Sequence, residues 1–273
     1  MPELPEVEIV KQSLLSKLKN KKINKVSVFN RNLRYRIEGG FEKFLKNQKI
    51  LNITRKSKFI ILHFTDSKYC ILHLGMSGTL HLIKKNHLNF FTNLSFYQSK
   101  FLPKKHNHVL LDFYKFKLFY NDPRRFGFFK LVKSKHELDA FFEPFGPEAL
   151  GKKFNLFYLK KKLKNKSKNI KNFLLDQKFV SGIGNIYASE ILYFCKINPL
   201  KKGKNLKIKD MKKIVKYSNL VLKKAIKNGG STIKNFKNIA GSQGNFQKKF
   251  KVYERNNLKC PGKDCKGIIK KIV

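Results

Sequence analysis

Seven short apolar segments follow one another between residues 25 and 132, and a chain that carries them is not a helical bundle. They are KVSVF (25–29), FIILHF (59–64), YCILHLG (69–75), TLHLI (79–83), HVLLDF (108–113), FKLFY (116–120) and GFFKLV (127–132). Several alternate apolar and polar residues, as half-buried antiparallel strands do. Turn signals stand at GMSG, PKKHNH and NDPRRFG. The pattern predicts a β-sandwich, with a helix over 4–19 packed on it through Val7, Val10, Leu14, Leu15 and Leu18. From about residue 133 the period changes. EPFGPEALG (143–151) holds two prolines and two glycines and reads as a linker. Helical periodicity then covers 154–164, 168–177, 186–196 and 207–228, with KNGGS (227–231) ending the last helix. IAGSQGNF (239–246) reads as a loop, and FKVYER with KCPGKDCKGIIKKIV predicts a hairpin. The expected fold is α+β in two domains: a sandwich flanked by helices over 1–135, a linker over 136–152, a helical domain over 153–238, and a loop with a small hairpin over 239–273.

Charge narrows the partner. Lys and Arg total 61 against 17 Asp and Glu, a formal net charge of +44. Such a surface seeks a polyanion. Only seven of the basic residues are arginine, and Lys, Asn, Ile and Phe abound, which fits an AT-rich coding sequence that inflates lysine on any solvated face. Nucleic acid is the expected partner, with an RNA-binding protein as the competing reading. No stretch has the roughly 18 apolar residues of a membrane span, and the acidic start is no signal peptide, so the cytoplasm is expected. Cys70 and Cys195 stand alone in apolar surroundings and read as buried free thiols.

Against that charge the opening MPELPEVE is anomalous, because it holds three of the 17 acids in eight residues. Pro5, Glu6 and Glu8 suit a helix start. Pro2 and Glu3 remain unexplained by that reading. Removal of Met1 would leave Pro2 with a secondary α-amine, whose pKa of about 8 keeps a usable fraction unprotonated. Such an amine attacks a carbon to give an iminium that acts as an electron sink, and Glu3 beside it would move protons. Three further stretches are candidates for binding. HLGMSG (73–78) flanks Met76 with glycines and can present it outward as a wedge. NDPRRFG (121–127) puts Arg124, Arg125 and Phe126 at a turn between strands, where a guanidinium forks onto phosphate or a base edge and Phe inserts between bases. LLDQKFVSGIGNIYASEIL (174–192) reads as helix, Gly-rich turn and helix, suited to gripping a phosphate backbone. Lys58, in RKSKF, precedes a buried strand; alone it reads as a solvated lysine.

In order and spacing, PELPEVE (2–8), the Lys58 segment, HLGMSG (73–78), KHNH (105–108), DPRRFG (122–127), SGIGNIYASEIL (181–192), GGST (229–232) and VYER (252–255) resemble the bacterial formamidopyrimidine-DNA glycosylases. The resemblance implies a helix–two-turns–helix motif in the second domain and excision of oxidised purines from duplex DNA, followed by strand cleavage. It implies Pro2 as the nucleophile on the deoxyribose C1′, Glu3 as proton donor, and Lys58 in β-elimination. His106, Arg124 and Lys166 would contact DNA, Asn185 would hold a phosphate, and Met76, Arg124 and Phe126 would fill the gap left by a flipped nucleotide.

The match departs at the end. The family carries a zinc finger with two cysteine pairs; here one pair, Cys260 and Cys265, is separated by four residues instead of two. One pair does not supply four ligands, so no metal and no other cofactor is expected. The family's finger arginine is missing, and Glu254 stands where a glycine is usual. Two alternatives stay open: a non-catalytic DNA-binding protein, and an endonuclease VIII-like enzyme for oxidised pyrimidines. A monomer acting at the nucleoid is expected.

Overall fold

The computed structural model describes residues 2–84, 104–231, 246–262 and 264–271. It divides into two compact units, Met1–Glu143 with Gly229–Gly244, and Pro144–Asn228 with Asn245–Val273. The division falls at 143/144 and 228/229, whereas the sequence pattern suggested a linker over 136–152 and a helical domain running to 238. Of the candidate stretches, Met1, Thr232 and the loop residues 239–245 lie outside the described residues.

The first unit is a sandwich of two four-stranded antiparallel sheets. One has strand order β1 (Ile23–Val28), β6 (Asn107–Phe113), β7 (Phe116–Asn121), β5 (Thr79–Lys84). The other runs β2 (Asn52–Lys56), β3 (Phe59–His63), β4 (Tyr69–His73), β8 (Phe128–Val132). The core between them gathers Ile60, Leu62, Cys70 and Leu72 with Leu80, Val109, Leu111, Leu118 and Tyr120. Strands β3 and β4 are buried almost throughout rather than on alternate residues. Helix α1 (Leu4–Leu18) packs on β2 and β3 and buries Val7, Val10, Leu14 and Leu18. With cover on both faces, a strand needs no polar side.

Sequence periodicity missed three elements of this unit. NITRK forms β2, pairing Arg55 with Ile60 and Lys56 with Phe59, although its polar residues gave no strand signal. The short helix α2 (Phe41–Leu45) buries Phe41 and Leu45. The stretch expected to be a linker begins with helix α3 (Lys135–Phe142). Ser134 caps it, its hydroxyl accepting from the Glu137 N–H at 3.1 Å, and Phe141 and Phe142 meet the Phe59 ring edge-on at 5.4 and 5.6 Å. A Ser cap with Glu three residues on was the available signal.

The second unit is helical: α4 (Leu156–Leu163), α5 (Ile170–Leu175), α6 (Asn185–Cys195) and α7 (Ile208–Lys227). Helices α4 and α6 both pack on α7, and α5 on α6. Their buried stripe includes Leu159, Leu163, Leu174, Ile186, Ile191, Ile214 and Leu222. Among the described residues the expected terminal hairpin is reduced to one antiparallel bridge, Lys259 to Ile268. FKVYER is not a strand, because its amides are taken elsewhere. The Glu190 carboxylate, fully buried on α6, accepts the N–H groups of Lys251, Val252 and Tyr253, each at 2.9 Å. Tyr187, Phe246, Phe250 and Tyr253 form a chain of ring contacts along the same segment. Removing the carboxylate would leave three amides without an acceptor, at about 1–3 kcal/mol for each that stays buried. Glu190→Ala is therefore expected to lower unfolding free energy by about 3 kcal/mol, read by urea titration, with the near-ultraviolet signal of these rings lost first.

Glu254, the residue standing in for the family's glycine, has φ +54°. The left-handed region costs a side-chain-bearing residue roughly 1–2 kcal/mol, partly offset by the greater unfolded-state entropy of glycine. Glu254→Gly is expected to raise stability by up to about 1 kcal/mol in the same titration. Cys70 and Cys195 are buried free thiols, as expected; burial pushes the Cys195 thiol up to about 12.

Candidate active site and nucleic-acid surface

The first unit concentrates its acids at one helix start. Glu3 is the N-cap of α1, and a capping box closes the first turn: the Glu3 side chain accepts from the Glu6 backbone, and the Glu3 N–H donates to Glu6 Oε2 at 3.0 Å. Both carboxylates are buried. Glu6 also accepts, through Oε1, the backbone N–H and the hydroxyl of Ser231, both at 2.8 Å. Pro2 precedes this box and is partly exposed, so an amine at that position would stand beside two carboxylates yet remain open to a substrate.

Lys58 reaches the same place from the β2–β3 turn. It is buried, and burial holds its ammonium below the usual lysine range while Glu3 and Glu6 act in the opposite sense. Two carboxylates are thus electrostatic neighbours of a lysine that gives up its proton more readily than a solvated one. The turn is fixed by an ion pair that sequence reading assigned only to the helix dipole. Glu8 Oε2 meets Arg55 Nε at 2.9 Å, and Arg55 donates a further hydrogen bond to the Ser57 carbonyl at 2.8 Å. Glu8 also meets Lys11 at 2.7 Å. Burial alone would raise the Glu8 pKa; the bonds from Lys11 and Arg55 outweigh it and leave the carboxyl below the ordinary range. Arg55 was invisible as a positioning residue because its partner lies 47 residues away.

HLGMSG and DPRRFG meet in space. Gly75 has φ +64°, and a Cβ there would come within 2.4 Å of the Gly127 nitrogen. Gly127 is equally constrained, since a Cβ would fall 1.8 Å from the Tyr120 hydroxyl. This interlock turns Met76 and Phe126 outward, 45% and 41% exposed, which rules out both as core residues. The Arg124 guanidinium lies over the Phe126 ring at 4.6 Å. His106 is partly exposed, and the Asp122 N–H donates to its carbonyl at 3.0 Å. A third loop joins them: the Arg34 N–H donates to the Gly127 carbonyl at 3.2 Å. Residues 31–36 hold Arg31, Arg34 and Arg36, three of only seven arginines, and that density was an unread signal. Arg34 and Arg36 are exposed, while Arg31 pairs with Glu42.

In the second unit Asn185 is the first residue of α6 and is exposed, with Gly184 as N-cap. Gln177 shapes the turn before it. Its amide donates to the Leu175 and Ile183 carbonyls at 3.0 and 2.7 Å, and its oxygen accepts the Gly182 N–H at 2.9 Å. A helix start preceded by a Gly-bearing turn, with an exposed Asn at its first position, suits a phosphate. Lys166 is exposed in the α4–α5 connection. Cys260 and Cys265 sit at the tip of the bridged loop, where the Cys260 N–H donates to Gly267 at 2.8 Å. Among the described residues no third His, Cys, Asp or Glu joins them as a metal-binding group. Two thiols alone do not fit the tetrahedral zinc set.

A sandwich displaying cations around apolar tips, and a helical unit with an exposed Asn at a helix start, define a nucleic-acid-acting protein of the two-unit α+β class. Residues 1–129 match the family model for the formamidopyrimidine-DNA glycosylase N-terminal domain, and residues 145–237 that for the formamidopyrimidine-DNA glycosylase H2TH domain. The chain belongs to the formamidopyrimidine-DNA glycosylase family. It is 40% identical over 270 residues to the formamidopyrimidine-DNA glycosylase of a Wolbachia strain from Drosophila simulans, covering 98% of this chain and 93% of the relative. The Rickettsia bellii protein of the same name is 40% identical over 261 residues, covering 95% and 90%. The Lactococcus lactis Fpg in complex with DNA containing an abasic site superposes with a TM-score of 0.86 at 31% identity, covering 99% of this chain and 94% of that one. The same Lactococcus protein is solved with DNA containing an oxidised pyrimidine, with a TM-score of 0.85, 31% identity and the same coverage.

Proposed function

We propose that this DNA glycosylase of base-excision repair is bifunctional, removing an oxidised base through the Pro2 amine and then cutting the strand. The observation that carries the reading is the convergence of Pro2, Glu3 and Lys58 at one buried capping box in a chain of this family. The glycosidic carbon lies out of reach inside a stacked duplex, so the lesion nucleotide is first flipped. Met76 and Phe126 occupy the gap, and Arg124 addresses the base left without a partner. With Met1 removed, the Pro2 lone pair forms a bond to C1′ as the glycosidic bond breaks and its electrons leave with the base. Glu3 protonates the departing base, takes up the N–H proton of the ammonium that results, and returns it to the ring oxygen as the sugar opens to the iminium. The iminium then acidifies the C2′ hydrogen. Lys58 in its free-amine form assists its removal, and the 3′ phosphate leaves in β-elimination.

Glu6 holds Glu3 and Ser231 in place rather than reacting. Lys166, Asn185, His106 and the exposed arginines hold phosphates, so affinity falls steeply with salt. Duplex DNA bearing an oxidised purine is the substrate, and the protein works as a monomer in the cytoplasm beside the nucleoid. Among the described residues no helix is long and apolar enough to cross a membrane.

Borohydride present during turnover of an 8-oxoguanine duplex tests the reading. It is expected to trap a covalent protein–DNA adduct whose peptide maps to Pro2. Tight binding with no adduct would support a non-catalytic DNA-binding protein instead, and an adduct only on oxidised pyrimidines would shift the substrate class.

A further inference from the structure

We propose, resting on the glycosylase reading above, that Asp122 is the positioning residue that sets Met76, Arg124, Phe126 and His106 as one preformed wedge. Asp122 is fully buried, so it acts on DNA only through others. Its Oδ1 accepts from the Ser77 hydroxyl and from the Arg124 N–H at 3.2 Å. Its Oδ2 accepts from the Tyr120 hydroxyl and the Gly127 N–H, both at 2.9 Å. Its own backbone N–H donates to the His106 carbonyl, and its carbonyl receives His108 Nε2 at 2.8 Å. The six bonds end in four segments: the Met76 turn, the Arg124–Phe126 turn, the end of β7, and the 106–108 stretch.

A carboxylate taken out of water is tolerated only where its lone pairs are satisfied. Here the side-chain carboxylate's donors come from three segments, the Met76 turn, the end of β7 and the Arg124–Phe126 turn. Displacing one loop strands a buried charge, so the loops move together or not at all. Packing reinforces the coupling. The Tyr120 hydroxyl is wedged between Gly78 and Gly127, where a Cβ would come within 2.6 and 1.8 Å of it, and burial keeps that phenol protonated as a donor. A wedge ordered before DNA arrives does not lose loop entropy at the moment of insertion.

Asp122→Asn keeps the shape but turns an N–H toward one of the two backbone amides, Arg124 or Gly127. The test uses the full-length chain and a duplex with a tetrahydrofuran abasic analogue opposite 2-aminopurine, whose fluorescence reports insertion into the stack. Wild type is expected to change the signal and Phe126→Ala to abolish the change. Asp122→Asn should lose most of the amplitude, while affinity for the same duplex falls by no more than about threefold, because phosphate contacts supply most of the binding. Ser77→Ala removes one hydroxyl donor and should lose part of the amplitude; it decides the matter if melting shows that Asp122→Asn does not fold. Full amplitude in a folded Asp122→Asn, or in Ser77→Ala where the former is unfolded, overturns the proposal alone, provided that wild type forms the borohydride adduct. Wild type that gives neither adduct nor fluorescence change overturns the glycosylase reading and the positioning role together.

Discussion

Pro2→Gly is expected to deplete the borohydride adduct on an 8-oxoguanine duplex and to lower base release by at least about a thousandfold, in line with the loss of the secondary-amine nucleophile. The substitution exchanges a secondary amine for a primary one. Proline forms an iminium that stays charged at every pH, whereas glycine forms an imine that must be protonated before it draws electrons. The fold is expected to be indifferent: Pro2 precedes the helix, and the α1 capping box joins Glu3 and Glu6 without it. Circular dichroism should therefore superpose on wild type while single-turnover excision collapses. An undiminished adduct in the glycine variant would move the nucleophile elsewhere, with Lys58 the first residue to map.

The second large effect concerns Glu3. Glu3→Gln should lower excision of 8-oxoguanine by a factor of about 10² to 10⁴, the usual range for loss of a positioned proton donor. The variant separates chemistry from structure. Glutamine still offers an oxygen to the Glu6 N–H, so the N-terminal cap survives and melting should shift by no more than about 1 kcal/mol. A preformed abasic duplex, which has no base to expel, is expected to keep a larger share of trapping than the 8-oxoguanine duplex. Equal losses on both substrates would mean that Glu3 serves the amine itself rather than the departing base. No loss on either would remove it from the mechanism.

The stretch proposed to be catalytic stood out in the sequence because its local composition is unusual. Two prolines and three glutamates in a chain so rich in lysine demand a reason. The apolar alternation of HVLLDF and TLHLI announces paired strands. The spacing of Val7, Val10, Leu14 and Leu18 announces a helix with one buried face. What stayed hidden depended on partners distant in the chain. NITRK became a strand through pairing with β3, and FKVYER was drawn out of a hairpin by a carboxylate 61 to 63 residues away. The KHELDAFF helix carries a local cap signal, Ser134 with Glu137, but it is short and the prolines that follow it mask its period.

By itself the sequence determined the two periodicities, the positive charge and the oddity of Pro2 and Glu3 ahead of a helix start, because each is written in neighbouring residues, whereas Lys58 stood out only through the family resemblance. Only the tertiary structure decided that Lys58 is buried near two carboxylates, that Glu8 reaches Arg55, and that Asp122 ties four stretches of surface together. The reason is physical. Local propensity sets the period of a segment, but the charge state and orientation of a side chain follow from what packs around it, and those neighbours come from elsewhere in the chain.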